Sequence, residues 1–201
     1  TYSAGVLFDA FSFGVEISIQ ALTKYVGGHS DLILGSVSVA NQIGYEIVGK
    51  VYKQLGLAVS PDDCSLALRG LQTLGVRLDH LEKSTLTVAR WLEKSNLVES
   101  LFHPAFSSCP GHTIWRRDFT GSASVFSFLI NAEISPEKVI NFLNALKIFK
   151  IGLSWGGVTS LAIIYPAIAR PNKDFGGRLV RLNIGLEHPE DLIADLNHCL
   201  L

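Results

Sequence analysis

The 201-residue chain is 48% hydrophobic and only 17% charged, which is too apolar for a disordered segment and enough to bury a core. With 17 basic and 18 acidic residues its net charge is −1, and neither sign gathers into a run that would mark a nucleic-acid or membrane-surface site. No apolar stretch reaches the roughly 18 uninterrupted residues of a membrane span, so the expected partner is a small molecule or a protein. The length fits one large domain, or one small domain attached to part of another.

In chain order, residues 1–40 mix apolar with small polar residues and glycines, and Ile17-Ser18-Ile19-Gln20-Ala21-Leu22 predicts a strand. Residues 32–39 predict a second strand, which leaves Lys24 in the polar, glycine-rich turn 23–31 between the two. Ser60-Pro61-Asp62-Asp63 combines an N-cap candidate, a proline at the first helical position and acids in the first turn, so a helix starts there. Leu74, Leu78, Leu81, Leu86, Val88, Ala89 and Leu92 recur at mostly helical spacing, with Arg77, Asp79, Glu82 and Lys83 between them. They predict the longest helix, over 71–94, joining two domains.

Residues 98–106 and 123–130 are strand-like, and Ser135 introduces an amphipathic helix over 136–146. Residues 160–165 and 179–184 are again strand-like, and 189–201 form a last helix after an acidic turn. There is no internal repeat. Cys64, Cys109 and Cys199 lie far apart without metal-ligand or C-x-x-C spacing, so neither a disulfide framework nor a zinc site is expected and a reducing cytosol fits. Thr1 opens the sequence without Met, a charged lead or an apolar export segment, which argues against a signal peptide and leaves the true start open.

Most lysines are solvated surface charges, and one becomes a nucleophile or base only where it is desolvated. Lys24 has unusual neighbours: Thr23-Lys24-Tyr25 is followed at once by Gly27-Gly28-His29-Ser30-Asp31. Further along stand Arg69-Gly70-Leu71-Gln72-Thr73-Leu74-Gly75, Ser154-Trp155-Gly156-Gly157-Val158-Thr159 and Val180-Arg181-Leu182-Asn183-Ile184-Gly185-Leu186-Glu187. In this order and over essentially the whole chain, these blocks resemble the Cys/Met-metabolism family of fold-type-I pyridoxal-phosphate (PLP) enzymes. Trp155 and the run beginning His112-Thr113-Ile114-Trp115 are most similar to the bacterial cystathionine β-lyases within it.

The resemblance implies an α/β fold. Residues 1–71 would be the C-terminal part of a PLP-dependent transferase-like large domain, and 72–201 a smaller α+β domain with an antiparallel sheet. It implies that Lys24 holds PLP as a Schiff base and then serves as the mobile base, since a desolvated amine can do both. Thr23 would donate to the cofactor phosphate; many relatives also carry a serine three residues before the lysine, where this chain has Ala21. Arg181 would clamp the substrate α-carboxylate, a task suited to a planar guanidinium; read without the resemblance, it could equally be a salt-bridge partner at a sheet edge. Ser154 would orient the lysine and Trp155 would wall the distal end of the substrate. His29 and Asp31 are read as structural supports of the turn.

The implied activity is β-elimination of L-cystathionine to homocysteine, pyruvate and ammonia, in methionine biosynthesis. A γ-lyase, a γ-synthase or a non-catalytic assembly module on the same fold is the alternative. The implied partners are a small amino-acid substrate and further copies of the chain, a cytoplasmic tetramer built as a dimer of dimers. Also implied are an aspartate for the pyridinium nitrogen, a phosphate loop and a ring-stacking tyrosine, none of which these 201 residues supply. The chain alone is therefore expected to be inactive.

Overall fold

The computed structural model describes residues 1–165 and 175–199. Strands β1 (Ile17–Ala21) and β2 (Gly35–Val39) pair antiparallel with Ile17 opposite Val39 and Ala21 opposite Gly35, and the turn between them carries Lys24. Then come α1 (Gln42–Gln54), α2 (Pro61–Gln72) and α3 (Leu74–Glu93). The rest of the chain runs β3 (Val98–Phe102), α4 (His112–Asp118), β4 (Val125–Ile130), α5 (Pro136–Ala145), β5 (Lys150–Ile151), β6 (Leu161–Tyr165), β7 (Leu179–Asn183) and α6 (Pro189–Cys199). The expected last helix is present as far as Cys199, and the final two residues of its predicted range lie outside the described ones.

Local chemistry explains most helix starts. Ser60 Oγ accepts from Asp63 N at 3.0 Å and Ser135 Oγ from Lys138 N at 3.4 Å, each followed by a proline that needs no partner for its nitrogen. Asn41 caps α1 through Gly44 N at 2.8 Å. That helix was not predicted, because Gly44, Gly49 and its β-branched residues are poor helix formers. The expected helix over 71–94 begins instead at Leu74. Thr73 is the reason: its hydroxyl donates to Gly70 O at 3.2 Å and accepts from Arg77 Nε at 3.0 Å, which diverts the chain from a continuous helix. β3 stops at Phe102, short of the predicted 106, because Pro104 offers no N–H to a ladder.

The second sheet has the order β3-β4-β7-β6-β5. Its first four strands pair antiparallel as expected, but β5 runs parallel to β6, with Lys150 opposite Leu161. The sheet is therefore mixed. Parallel neighbours cannot be joined by a tight hairpin, so residues 152–160 must leave the sheet edge and return. That excursion carries Ser154, Trp155 and Gly156.

Phe126, Phe128 and Ile130 of β4 and Val180 and Leu182 of β7 pack with Val88, Ala89 and Leu92 of α3, Val139 and Phe142 of α5, and Leu192 and Leu196 of α6. A smaller cluster of Ala4, Tyr25, Leu74, Leu78 and Leu81 joins the lysine turn to the start of α3. By contrast α1 buries none of its residues, and Ile43, Tyr45 and Ile47 stay largely open to solvent.

His103 is 1% exposed, edge-on to Phe106 and Phe126, and its Nδ1 accepts from Ala105 N at 3.2 Å. Burial pushes the imidazole down to about 4 from 6.5, and the charge of Arg90 adds in the same direction. The unfolded chain therefore takes up a proton near 6.5 that the folded chain refuses until about 4, so stability present at neutral pH is lost on acidification. Over that window the loss should reach roughly 3 kcal/mol. Urea unfolding of His103→Gln should show a flatter dependence on pH there; an unchanged slope would contradict this account.

Candidate active site

The lysine turn is closed by its own backbone, Gly27 N donating to Leu22 O and Gly28 N to Lys24 O, both at 2.7 Å. It is braced from behind by Arg77, placed by sequence among the polar positions of its helix but only 7% exposed. Arg77 Nη1 donates to Tyr25 O at 2.7 Å; Nη2 donates to Gly70 O at 2.7 Å and to Val26 O at 3.2 Å. Burial lowers the pKa of its guanidinium from the ordinary value. Gly28 has φ +72°, and a Cβ there would overlap Arg77 Nη1, so both backbone and guanidinium require glycine. His29 bonds Gly27 O through Nδ1 at 2.7 Å and Asp31 pairs with Arg69 at 2.8 Å, the supporting roles expected of both.

The half-buried Lys24 side chain reaches the excursion between β5 and β6, where Nζ donates to Ser154 Oγ at 3.0 Å and stands 5.1 Å from the centre of the Trp155 ring. Gly156, with φ +81°, lets this loop lie against the turn, since a Cβ would already sit 3.2 Å from Lys24 Cβ and Tyr25 N. Among the described residues no carboxylate is within ion-pair distance of Lys24.

Strand β7 fastens the loop. Arg181 Nη2 donates to Leu153 O at 2.6 Å and Ser154 O at 3.2 Å, and Nη1 to Tyr165 Oη at 2.7 Å. Its Nε is buried, with no partner among the described residues. Two residues on, and so on the same face of the strand, Asn183 Oδ1 accepts from Gly156 N and Ser124 Oγ at 2.8 Å each, while Nδ2 donates to Thr159 O at 3.1 Å. Ser124 Oγ also lies 3.0 Å from Tyr25 Oη, and Ser124 N donates to that oxygen at 3.0 Å. Burial raises the Tyr25 phenol above its ordinary pKa, against the opposing effect of these bonds. Glu187 closes the far end of the loop, accepting from Ser160 N at 2.9 Å and Ser160 Oγ at 2.7 Å.

Of the residues singled out by sequence, Lys24, Ser154, Trp155 and Arg181 are thus brought together. Thr23 is adjacent, but its hydroxyl serves the turn: it accepts from Leu34 N at 2.9 Å and donates to Leu34 O at 3.2 Å. Donation to a phosphate would require that proton to leave Leu34. Sequence reasoning assigned nothing to Arg77, Tyr25, Ser124, Tyr165 or Asn183. Only a polar residue in an apolar strand, Asn183, carried a signal of burial.

An amine with no carboxylate within ion-pair distance among the described residues, steadied by a hydroxyl and an indole, fits a carbonyl partner. Known structures share this architecture. The whole chain matches 53% of the cystathionine gamma synthase of Xanthomonas oryzae pv. oryzae, crystallised with aminoacrylate and cysteine, with TM-score 0.91 and 30% identity. It also matches, over 98% of its length and 53% of the other chain, the cystathionine gamma-lyase of Lactobacillus plantarum with TM-score 0.89 and 25% identity. The fold class is thus that of these α/β sulfur amino-acid enzymes.

The family follows from the sequence comparisons: residues 1–201 match the model of the Cys/Met metabolism PLP-dependent enzymes, and the chain belongs to that family. It is 43% identical to the cystathionine beta-lyase of Escherichia coli (strain K12), covering 98% of this chain and 51% of that protein. It is 37% identical to the L-alanine/L-glutamate racemase of Wolbachia pipientis wMel, covering 100% of this chain and 50% of the relative. The chain spans about half the length of the curated relatives it matches.

Replacing Asn183 with Ala would remove the acceptor from two buried donors, Gly156 N–H and the Ser124 hydroxyl. We expect a loss of about 2–4 kcal/mol in unfolding free energy by chemical denaturation; a loss below about 0.5 kcal/mol, within the usual range of surface changes, would refute the fastening role.

Proposed function

We propose that the protein to which this chain belongs is a PLP-dependent carbon–sulfur lyase that cleaves L-cystathionine by β-elimination. The observation that carries the reading is the 3.0 Å contact of Lys24 Nζ with Ser154 Oγ, in a loop whose carbonyl oxygens are held by Arg181. Similarity to the E. coli beta-lyase at 43% identity supports it, as does Trp155 beside the amine. The bound cofactor supplies the electron-withdrawing ring that makes the substrate Cα–H acidic.

Within this reading Lys24 would hold the cofactor through its aldehyde, and its amine, when free, would be the base that takes the substrate Cα proton. Ser154 keeps that nitrogen from wandering. Arg181 is the proposed clamp for the α-carboxylate, which would turn the Cα–H toward Lys24. Trp155 excludes water from the side on which the Cβ–S bond breaks. The electron pair of that bond leaves with sulfur, which becomes the thiol of homocysteine on gaining a proton from Lys24. The remaining three-carbon unit hydrolyses to pyruvate and ammonia. Thr23 is the proposed phosphate donor, after its hydroxyl turns from Leu34. We place the boundary between cofactor and small domains near Leu71, and propose that the active form is a homo-oligomer.

Full-length protein loaded with PLP should be yellow, and borohydride should fix the cofactor to Lys24, as read by peptide mass spectrometry. Lys24→Ala should lose both properties and at least about 10³-fold in turnover. Cystathionine should yield homocysteine and pyruvate. A different keto acid would mark a γ-elimination, loss of optical rotation from alanine without keto acid a racemase, and a colourless protein with unmodified Lys24 a non-catalytic module.

A further inference from the structure

Trp155 is itself held, and by a residue without an assigned role. The Tyr2 ring lies parallel to the indole, with centroids 4.4 Å apart and 8° between planes, while Tyr25 meets the same indole tilted at 5.4 Å. Tyr2 is 62% exposed, so hydrophobic burial does not account for its position. Its neighbours are nevertheless fixed. Thr1 Oγ1 accepts from Ala21 N at 3.0 Å at the end of β1, Thr1 O accepts from Ala4 N at 3.0 Å, and Ala4 is 5% exposed with φ 55°. A tight turn anchored to the lysine hairpin thus sets a flat ring against the indole on which the Lys24 ammonium rests.

We propose that Tyr2 is a positioning residue for the Lys24 amine, fixing the plane of Trp155, which in turn keeps Nζ against Ser154. This inference rests on the reading of Lys24 as the cofactor amine. A cation is attracted to an aromatic face only while it stays over the ring. The indole also packs on the small cluster that contains Tyr25, but Tyr2 is the ring that lies parallel to it, so without Tyr2 its plane is less well fixed. Nζ then loses its platform and samples positions away from the Ser154 hydroxyl. Parallel stacking needs the ring alone, so phenylalanine at position 2 serves as well as tyrosine, and leucine does not.

The test uses full-length protein, first free of cofactor. Lys24 is labelled at fixed pH with an amine-reactive ester and compared by peptide mass spectrometry with the surface residue Lys53, alongside near-ultraviolet circular dichroism of the stacked indole. Tyr2→Leu should flatten the indole band and speed Lys24 labelling about two- to tenfold, the range for loss of one aromatic pair. Tyr2→Phe should restore both. In the loaded enzyme Tyr2→Leu should lower kcat by about tenfold and change KM less than twofold. Trp155→Leu should raise labelling as Tyr2→Leu does, and the double variant should add nothing further. Unchanged labelling in a folded Tyr2→Leu protein, failure of phenylalanine to restore it, or additive effects in the double variant would overturn the proposal. Failure of borohydride to join PLP to Lys24 would instead defeat the cofactor reading and leave the labelling result standing.

Discussion

A single buried cation holds the lysine turn in shape. Arg77 enters from the first turn of α3 and gives four N–H groups to Tyr25 O, Val26 O, Gly70 O and the Thr73 hydroxyl. Its partners are carbonyl and hydroxyl oxygens, so the charge is solvated by dipoles where a carboxylate would have made an ion pair. Breaking such an arrangement leaves either a bare interior charge or unpaired carbonyls, and each is costly. The need for glycine at position 28 follows from this guanidinium, which also bonds the Thr73 hydroxyl at the break between α2 and α3.

Against that fixed turn stands a loop forced out of a sheet. Because β5 and β6 run parallel, the chain between them cannot turn back directly, and the detour becomes the surface that meets Lys24. Arg181, Asn183 and Glu187 hold it at three places, which leaves Ser154 and Trp155 at its tip with defined positions. The geometry of the site is thus a product of topology as much as of side-chain chemistry.

Local signals were legible in the sequence and distant ones were not. Ser60-Pro61 and Ser135-Pro136 announce their helices because a cap lies within one turn of what it caps. The interruption at Thr73 is set by partners three residues back and four ahead, and α1 is obscured by Gly44 and Gly49. Order within the sheet, and its parallel edge, depend on pairings across dozens of residues. Lys24, Ser154, Trp155 and Arg181 were recognised through family motifs rather than through periodicity. Arg77 carried no signal of its role, since nothing adjacent in sequence shows that carbonyl groups from residues 25 and 26 will surround it.

Strand β7 presents Arg181 and Asn183 side by side, one gripping the carbonyl edge of the detour and the other its amide edge. With a two-residue repeat, a slip of this strand by one position would turn both side chains to the opposite surface at once. Such a slip would free both edges of the loop together.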